Sequence, residues 1–112
     1  KNMSERDLQF LVCDYLKLNK NILSFFMVPN GVKLSGGASY YNSLVKQGFR
    51  AGVSDLVVVL ENKILFLELK VGKNKQRDSQ VLFENSIKTC NVASYHIIKS
   101  LEDLEKVLND TI

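Results

Sequence analysis

Two apolar runs, residues 55–60 and 63–69, meet across only Glu61 and Asn62. Both are strand-length and rich in Val, Leu, Ile and Phe. Two residues can join antiparallel strands but not parallel ones. The runs therefore predict a β-hairpin, although Glu-Asn is not the pair that tight hairpin turns favour. A hairpin fixes a register. Asp55 and Glu68 lie equally far from the turn, so they become cross-strand neighbours, with Cβ atoms about 5.5 Å apart or less. Two carboxylates that close repel unless a proton or a cation sits between them. Lys70 follows Glu68 by two residues and leaves the same face. Its ammonium can orient an attacking water or offset charge in a transition state. Leu69 points the other way, and its backbone carbonyl is one more oxygen donor. The alternative is a surface hairpin with a Glu–Lys ion pair. Against it, acids and lysines seldom interrupt buried apolar strands without cause.

The remaining chain supplies elements to flank this hairpin. Ser4 reads as a helix N-cap, with Asp7 three residues on in a capping-box variant. Leu8, Leu11, Val12, Tyr15 and Leu16 follow at helical spacing, which predicts a helix over 5–18. Residues 24–28 read as a strand ended by Pro29-Asn30-Gly31. Residues 32–38, with Gly36-Gly37, read as a loop, and Ser39 as the cap of a short helix that stops at Gly48. After the hairpin, 73–79 is polar and basic, 79–89 fits a helix through Phe83 and Ile87, and 93–98 is a strand. Ser100 caps a last helix with Leu101, Leu104, Val107 and Leu108 on one face. The expected fold class is α/β, a mixed central sheet flanked by helices in the order α-β-α-β-β-α-β-α. Residues 1–112 make one domain's worth of chain.

Composition removes several function classes. The apolar stretches are strand-length, so none is expected to span a membrane, and no signal peptide is visible. Cys13 and Cys90 match no zinc or redox spacing, which suits a cytosolic setting; the alternative is that the two pair in a secreted protein. The single histidine, His96, lies in a predicted strand and reads as structural. Without paired His or Cys, a metal would need oxygen ligands, which favours Mg²⁺ or Mn²⁺. The formal charge of +3 is mild, but it is unevenly spread. From Lys33 to Lys88 there are nine Lys and Arg against five acids; from Thr89 onward, two Lys against four acids. The basic excess surrounds the hairpin, as a phosphate-binding face requires. An ordinary solvated surface would look the same on charge alone.

Asp55 followed by Glu68-Leu69-Lys70 resembles the D…ExK signature of the PD-(D/E)XK nuclease superfamily. The surroundings, Arg50-Ala51-Gly52-Val53-Ser54-Asp55-Leu56-Val57-Val58 and Phe66-Leu67-Glu68-Leu69-Lys70, are similar to the virus-type replication-repair nuclease (VRR-NUC) family. So is Gln80 on the helix after the signature. The resemblance runs from Glu5 to Ile98. One departure is Ser54, where the signature has proline before the aspartate.

The resemblance implies a restriction-endonuclease-like core and a Mg²⁺- or Mn²⁺-dependent endonuclease that hydrolyses DNA phosphodiester bonds. Asp55, Glu68 and the Leu69 carbonyl would hold the metal, and Lys70 would orient or activate the nucleophile. Glu5 shares a helical stripe with Leu8, Val12 and Leu16, an odd place for an acid unless it points into a site. The family implies that it completes the metal site; the alternative is a first-turn acid favoured by the helix dipole. Gln80 is implied to hold Lys70 or the water. Arg50 is expected on a phosphate, Lys73, Lys75 and Arg77 along the DNA backbone, and Asn30 and Lys33 near the DNA. Stand-alone relatives imply a homodimer acting on branched DNA such as four-way junctions, in a bacterial or phage-infected cytoplasm. The rival readings are a nickase or restriction-type enzyme on plain duplex, and a non-catalytic DNA-binding module.

Overall fold

The computed structural model describes residues 3–29 and 37–112. Eight elements follow in the order expected: α1 (Glu5–Leu18), β1 (Ser24–Met27), α2 (Gly37–Lys46), β2 (Leu56–Val59), β3 (Ile64–Leu69), α3 (Asp78–Ile87), β4 (Ala93–Ile98) and α4 (Leu101–Thr111). The strands form one mixed sheet in the order β1-β2-β3-β4. β1 and β2 pair antiparallel, as do β2 and β3, whereas β3 and β4 run parallel with α3 as the crossover. That is the mixed sheet with flanking helices read from the sequence.

Local capping explains where the helices start. Ser4 Oγ accepts from the Asp7 N–H at 3.0 Å, and Asp7 Oδ2 accepts from the Ser4 N–H at 3.3 Å. This closes a reciprocal capping box with aspartate in the usual glutamate place. Ser100 Oγ likewise accepts from the Asp103 N–H at 3.1 Å and opens α4. α2 differs from expectation: it begins at Gly37, two residues before Ser39, so Ser39 lies inside the helix and not at its cap.

The two sheet faces have separate jobs. Leu56, Val58, Leu60, Leu65, Leu67, Leu69 and Ile98 meet Leu8, Val12 and Leu16 of α1 and Leu104 and Leu108 of α4 in one buried cluster. Period-2 alternation sends Phe66, Glu68 and Lys70 to the opposite face. There α3 lies over the sheet, with Phe83 edge-on to Phe66 at 5.1 Å between centroids and tilted on Tyr95 at 6.1 Å. The aliphatic core thus carries the hairpin from behind, and Glu68 and Lys70 emerge under α3.

The hairpin has the register deduced from its length. Leu56 faces Leu67 and Val59 faces Ile64, and the Leu60 N–H donates to the Lys63 carbonyl at 2.8 Å to close the turn. No described non-glycine residue has positive φ, so Glu61 and Asn62 turn the chain without the left-handed geometry that Asn-Gly pairs provide. His96 is half-buried, with Nε2 2.7 Å from Ser94 Oγ, and desolvation lowers its pKa. Cys13 and Cys90 are free thiols. Among the described residues, no helix is long and apolar enough to cross a membrane.

Candidate active site

The register that pairs Leu56 with Leu67 places Asp55 opposite Glu68. Asp55 is anchored rather than free: its Oδ2 accepts the Leu69 N–H at 2.7 Å, and its carbonyl accepts the Val28 N–H at 2.8 Å. Lys70 Nζ stands 3.6 Å from Glu68 Oε2, with both side chains almost wholly buried. Gln80 Nε2 donates to the same Oε2 at 2.7 Å. Asp55, Glu68, Lys70 and Gln80, drawn from three separate segments, therefore converge where α3 meets the sheet.

Gln80 is held by a second bond. Its Oε1 accepts the Arg77 N–H at 2.8 Å, the N-cap end of α3. This is one half of a capping box, with the Arg77 side chain making no cap bond of its own. One amide oxygen caps the helix, and the amide nitrogen is thereby aimed at Glu68. Gln80 thus bonds the same Glu68 oxygen that pairs with Lys70.

Glu68 is the strained member. Burial, then the neighbouring Asp55 charge, raises its pKa from 4.5 to about 7, with Lys70 opposing. Its Oε1 is buried and has no hydrogen-bond partner among the described residues. An unpaired buried carboxylate oxygen is costly. It also marks where a positive ligand would be stabilised. The donor set there is all oxygen, which suits a hard divalent cation.

A stability consequence follows from the raised Glu68 pKa. Between pH 4.5 and about 7 the folded metal-free protein holds a proton that the unfolded chain has released. The contribution of this group is thus most favourable below pH 4.5, and stability falls as pH rises through 7, by about 3 kcal/mol at most. Glu68→Gln is expected to raise the metal-free melting temperature at pH 8 and to change it much less at pH 4.5. Thermal unfolding in EDTA at the two pH values measures this.

The other expected residues are placed less uniformly. Among the described residues no third acid, histidine or cysteine joins Asp55 and Glu68 in a metal-binding group. Glu5 lines the same cleft as Asp55, but its Oε2 accepts from Asn74 Nδ2 at 3.1 Å. It stands in the first turn of α1, where the helix dipole favours an acid. Arg50 is exposed, with its guanidinium 5.5 Å from the Phe83 ring centroid. Lys73, Lys75 and Arg77 are exposed on the segment between β3 and α3. Asn30 and Lys33 lie outside the described residues.

Two positions escaped sequence reasoning. Asn74 looked like an ordinary polar turn residue, and nothing in the sequence marks its bond to Glu5. Gly52 stands out in the sequence only as part of the signature. Its φ is +89°, and a Cβ there would overlap the Ser79 carbonyl and come within 2.8 Å of the Gln80 nitrogen. The loop before Asp55 thus touches the first turn of α3 backbone to backbone, which only glycine permits.

No protein-family model matches the sequence, and no curated protein does. Comparison of folds does find likeness. A solved structure described as a VRR_NUC domain protein superposes with a TM-score of 0.73, covering 97% of this chain and 88% of the other, at 17% sequence identity. At that identity the likeness speaks for the fold. The mixed four-stranded sheet and its flanking helices are thus those of a VRR-NUC-like, restriction-endonuclease-like fold.

Proposed function

We propose that this protein is a divalent-metal-dependent nuclease that hydrolyses DNA phosphodiester bonds. The observation that carries the reading is the pairing of half-buried Asp55 with buried Glu68 beside Lys70, with one Glu68 oxygen unpartnered among the described residues. A structural ion pair would need one acid and one base; here a second acid is held against the first. The oxygen donors fit Mg²⁺ or Mn²⁺, with Asp55, Glu68 and the Leu69 carbonyl as ligands and Glu5 acting from the cleft wall. When bound, the ion supplies Lewis-acid stabilisation of charge on the phosphate and lowers the pKa of water.

The remaining chemistry belongs to the side chains. Lys70 positions the attacking water and offsets negative charge as the phosphate becomes five-coordinate. Gln80 fixes the Glu68 carboxylate so that its free oxygen faces the site. The water oxygen bonds to phosphorus and the bond to the 3′ oxygen breaks, leaving a 5′-phosphate. Arg50, Lys73, Lys75 and Arg77 neutralise backbone phosphates on the approach; Asn30 and Lys33 are assigned to the same surface from the sequence.

The preferred substrate is branched DNA, cut by a homodimer. Two symmetric incisions suit a two-fold assembly. The support is an exposed apolar surface: among the described residues α2 buries none of its own and exposes Tyr40, Tyr41 and Val45, and β1 exposes Phe26. Such surfaces mark interfaces. Sedimentation is expected to give a dimer at micromolar concentration, and Val45→Glu a monomer. A wild-type monomer would remove the dimer from this account. Four-way junctions, flaps and linear duplex compared under one condition test the substrate. Equal rates on junction and plain duplex would favour the nickase or restriction-type reading.

A further inference from the structure

Between α1 and β1 lies a cleft of about 570 Å³ that reaches Asp55 and Leu69. Its size is within the range of about 300–1,000 Å³ that ligand sites occupy. Phe25, Met27 and Leu56 line the sheet side, and Phe10 and Cys13 the helix side. Phe10 is 61% exposed and Met27 58%, so the cleft is open and apolar.

The helix pattern that builds it is specific. α1 buries Leu8, Val12 and Leu16 in the core. A neighbouring stripe, at helical spacing, carries Arg6, Phe10, Cys13 and Lys17 along the cleft. A cation stands at each end and a ring between them, while the acids Glu5 and Asp55 line the cleft as well. The two cations are about 16 Å apart along the helix, enough to serve different phosphates. Cations spaced around exposed rings are how proteins hold single-stranded nucleic acid: the charges follow the backbone and the rings stack the bases. A base inside a duplex is already stacked and paired, and cannot enter without being extruded.

We propose that this cleft receives an unpaired nucleotide next to the phosphate at the Asp55–Glu68 site, its base stacked on Phe10 and Phe25 and its flanking phosphates on Arg6 and Lys17. The position beside the cut rests on the nuclease reading; the cleft as a single-strand site does not. It gives the enzyme a physical reason to act at junctions, flaps and frayed ends, where unpaired bases are supplied.

The test is fluorescence anisotropy in EDTA at low salt, with a labelled short oligothymidylate and a blunt duplex of equal length. Wild type is expected to bind the single strand more tightly. Phe10→Ala should weaken single-strand binding about tenfold or more and leave duplex binding unchanged, whereas Phe10→Trp should restore it. The Arg6→Ala/Lys17→Ala pair should flatten the salt dependence. In a Cys90→Ser background, oligothymidylate should protect Cys13 from alkylation. Unchanged single-strand affinity in Phe10→Ala, or no single-strand binding by wild type, overturns the proposal. So does a Phe10→Ala protein that loses a dimer contact, which would assign the cleft to a second copy of the chain. Because binding is read without a cation, the two readings separate. A protein that binds through Phe10 and never cuts would sink the nuclease; a protein that cuts with Phe10 indifferent would sink the cleft.

Discussion

Asp55→Asn and Lys70→Met are each expected to lower single-turnover DNA cleavage about a thousandfold or more while the protein stays folded. Both replacements are close in shape. Asparagine keeps an oxygen for the Leu69 N–H that Asp55 Oδ2 now accepts at 2.7 Å, but it removes one of the two charges that would hold a divalent cation. Methionine keeps most of the buried Lys70 stem and removes the ammonium 3.6 Å from Glu68. Loss of one electrostatic group at a phosphoryl or acyl centre typically costs a hundredfold to a thousandfold, and loss of the ion with it costs more. Melting temperature and single-turnover rate, measured on the same preparations, separate this outcome from misfolding. If either variant cuts within tenfold of wild type, the roles assigned to that residue are wrong.

Gly52→Ala is expected to be the most damaging small substitution outside the proposed ligands, costing about 3 kcal/mol or more. Two penalties add. Alanine at φ +89° is strained by about 1 kcal/mol or more, and its Cβ would run into backbone at Ser79 and Gln80. Neither contact is the far end of a flexible side chain, so the first turn of α3 must move. Gln80 moves with it, and with Gln80 the hydrogen bond that orients Glu68. The variant should lose stability in denaturant titration and, where still folded, lose cleavage. Gly48, also at positive φ, has nothing within 4 Å of a built Cβ; Gly48→Ala serves as the control for strain without collision. Equal stability losses in the two variants would contradict the close approach of loop and helix.

The hairpin was legible because its information is local. Strand length, a two-residue turn and side-chain alternation together fix which residues face one another, and Asp55, Glu68 and Lys70 follow from that arithmetic. α1, β4 and α4 were equally clear, since their caps and periodicities lie within a few residues. Gln80 falls on the helix expected through Phe83, but its partner was not deducible. Which carboxylate it reaches depends on how α3 crosses the sheet. Glu5 shows the same boundary. Its stripe on α1 marked it as unusual, yet its bond goes to Asn74, sixty-nine residues away. The start of α2 at Gly37 was missed because a serine in a glycine-rich stretch looks like a cap whether or not it is one. The cleft between α1 and β1 was invisible for a different reason. It is formed by two elements that fail to close on each other, and no sequence pattern announces a gap.

The central claim is that the Asp55–Glu68 pair is a cation site that cuts DNA. The most direct measurement is cleavage of an end-labelled four-way junction by the purified protein with Mg²⁺, with Mn²⁺ and with EDTA. Cleavage is expected with at least one of the two ions and none in EDTA. Junction bound but left intact with both ions would contradict it and would leave a DNA-binding module built on the same fold.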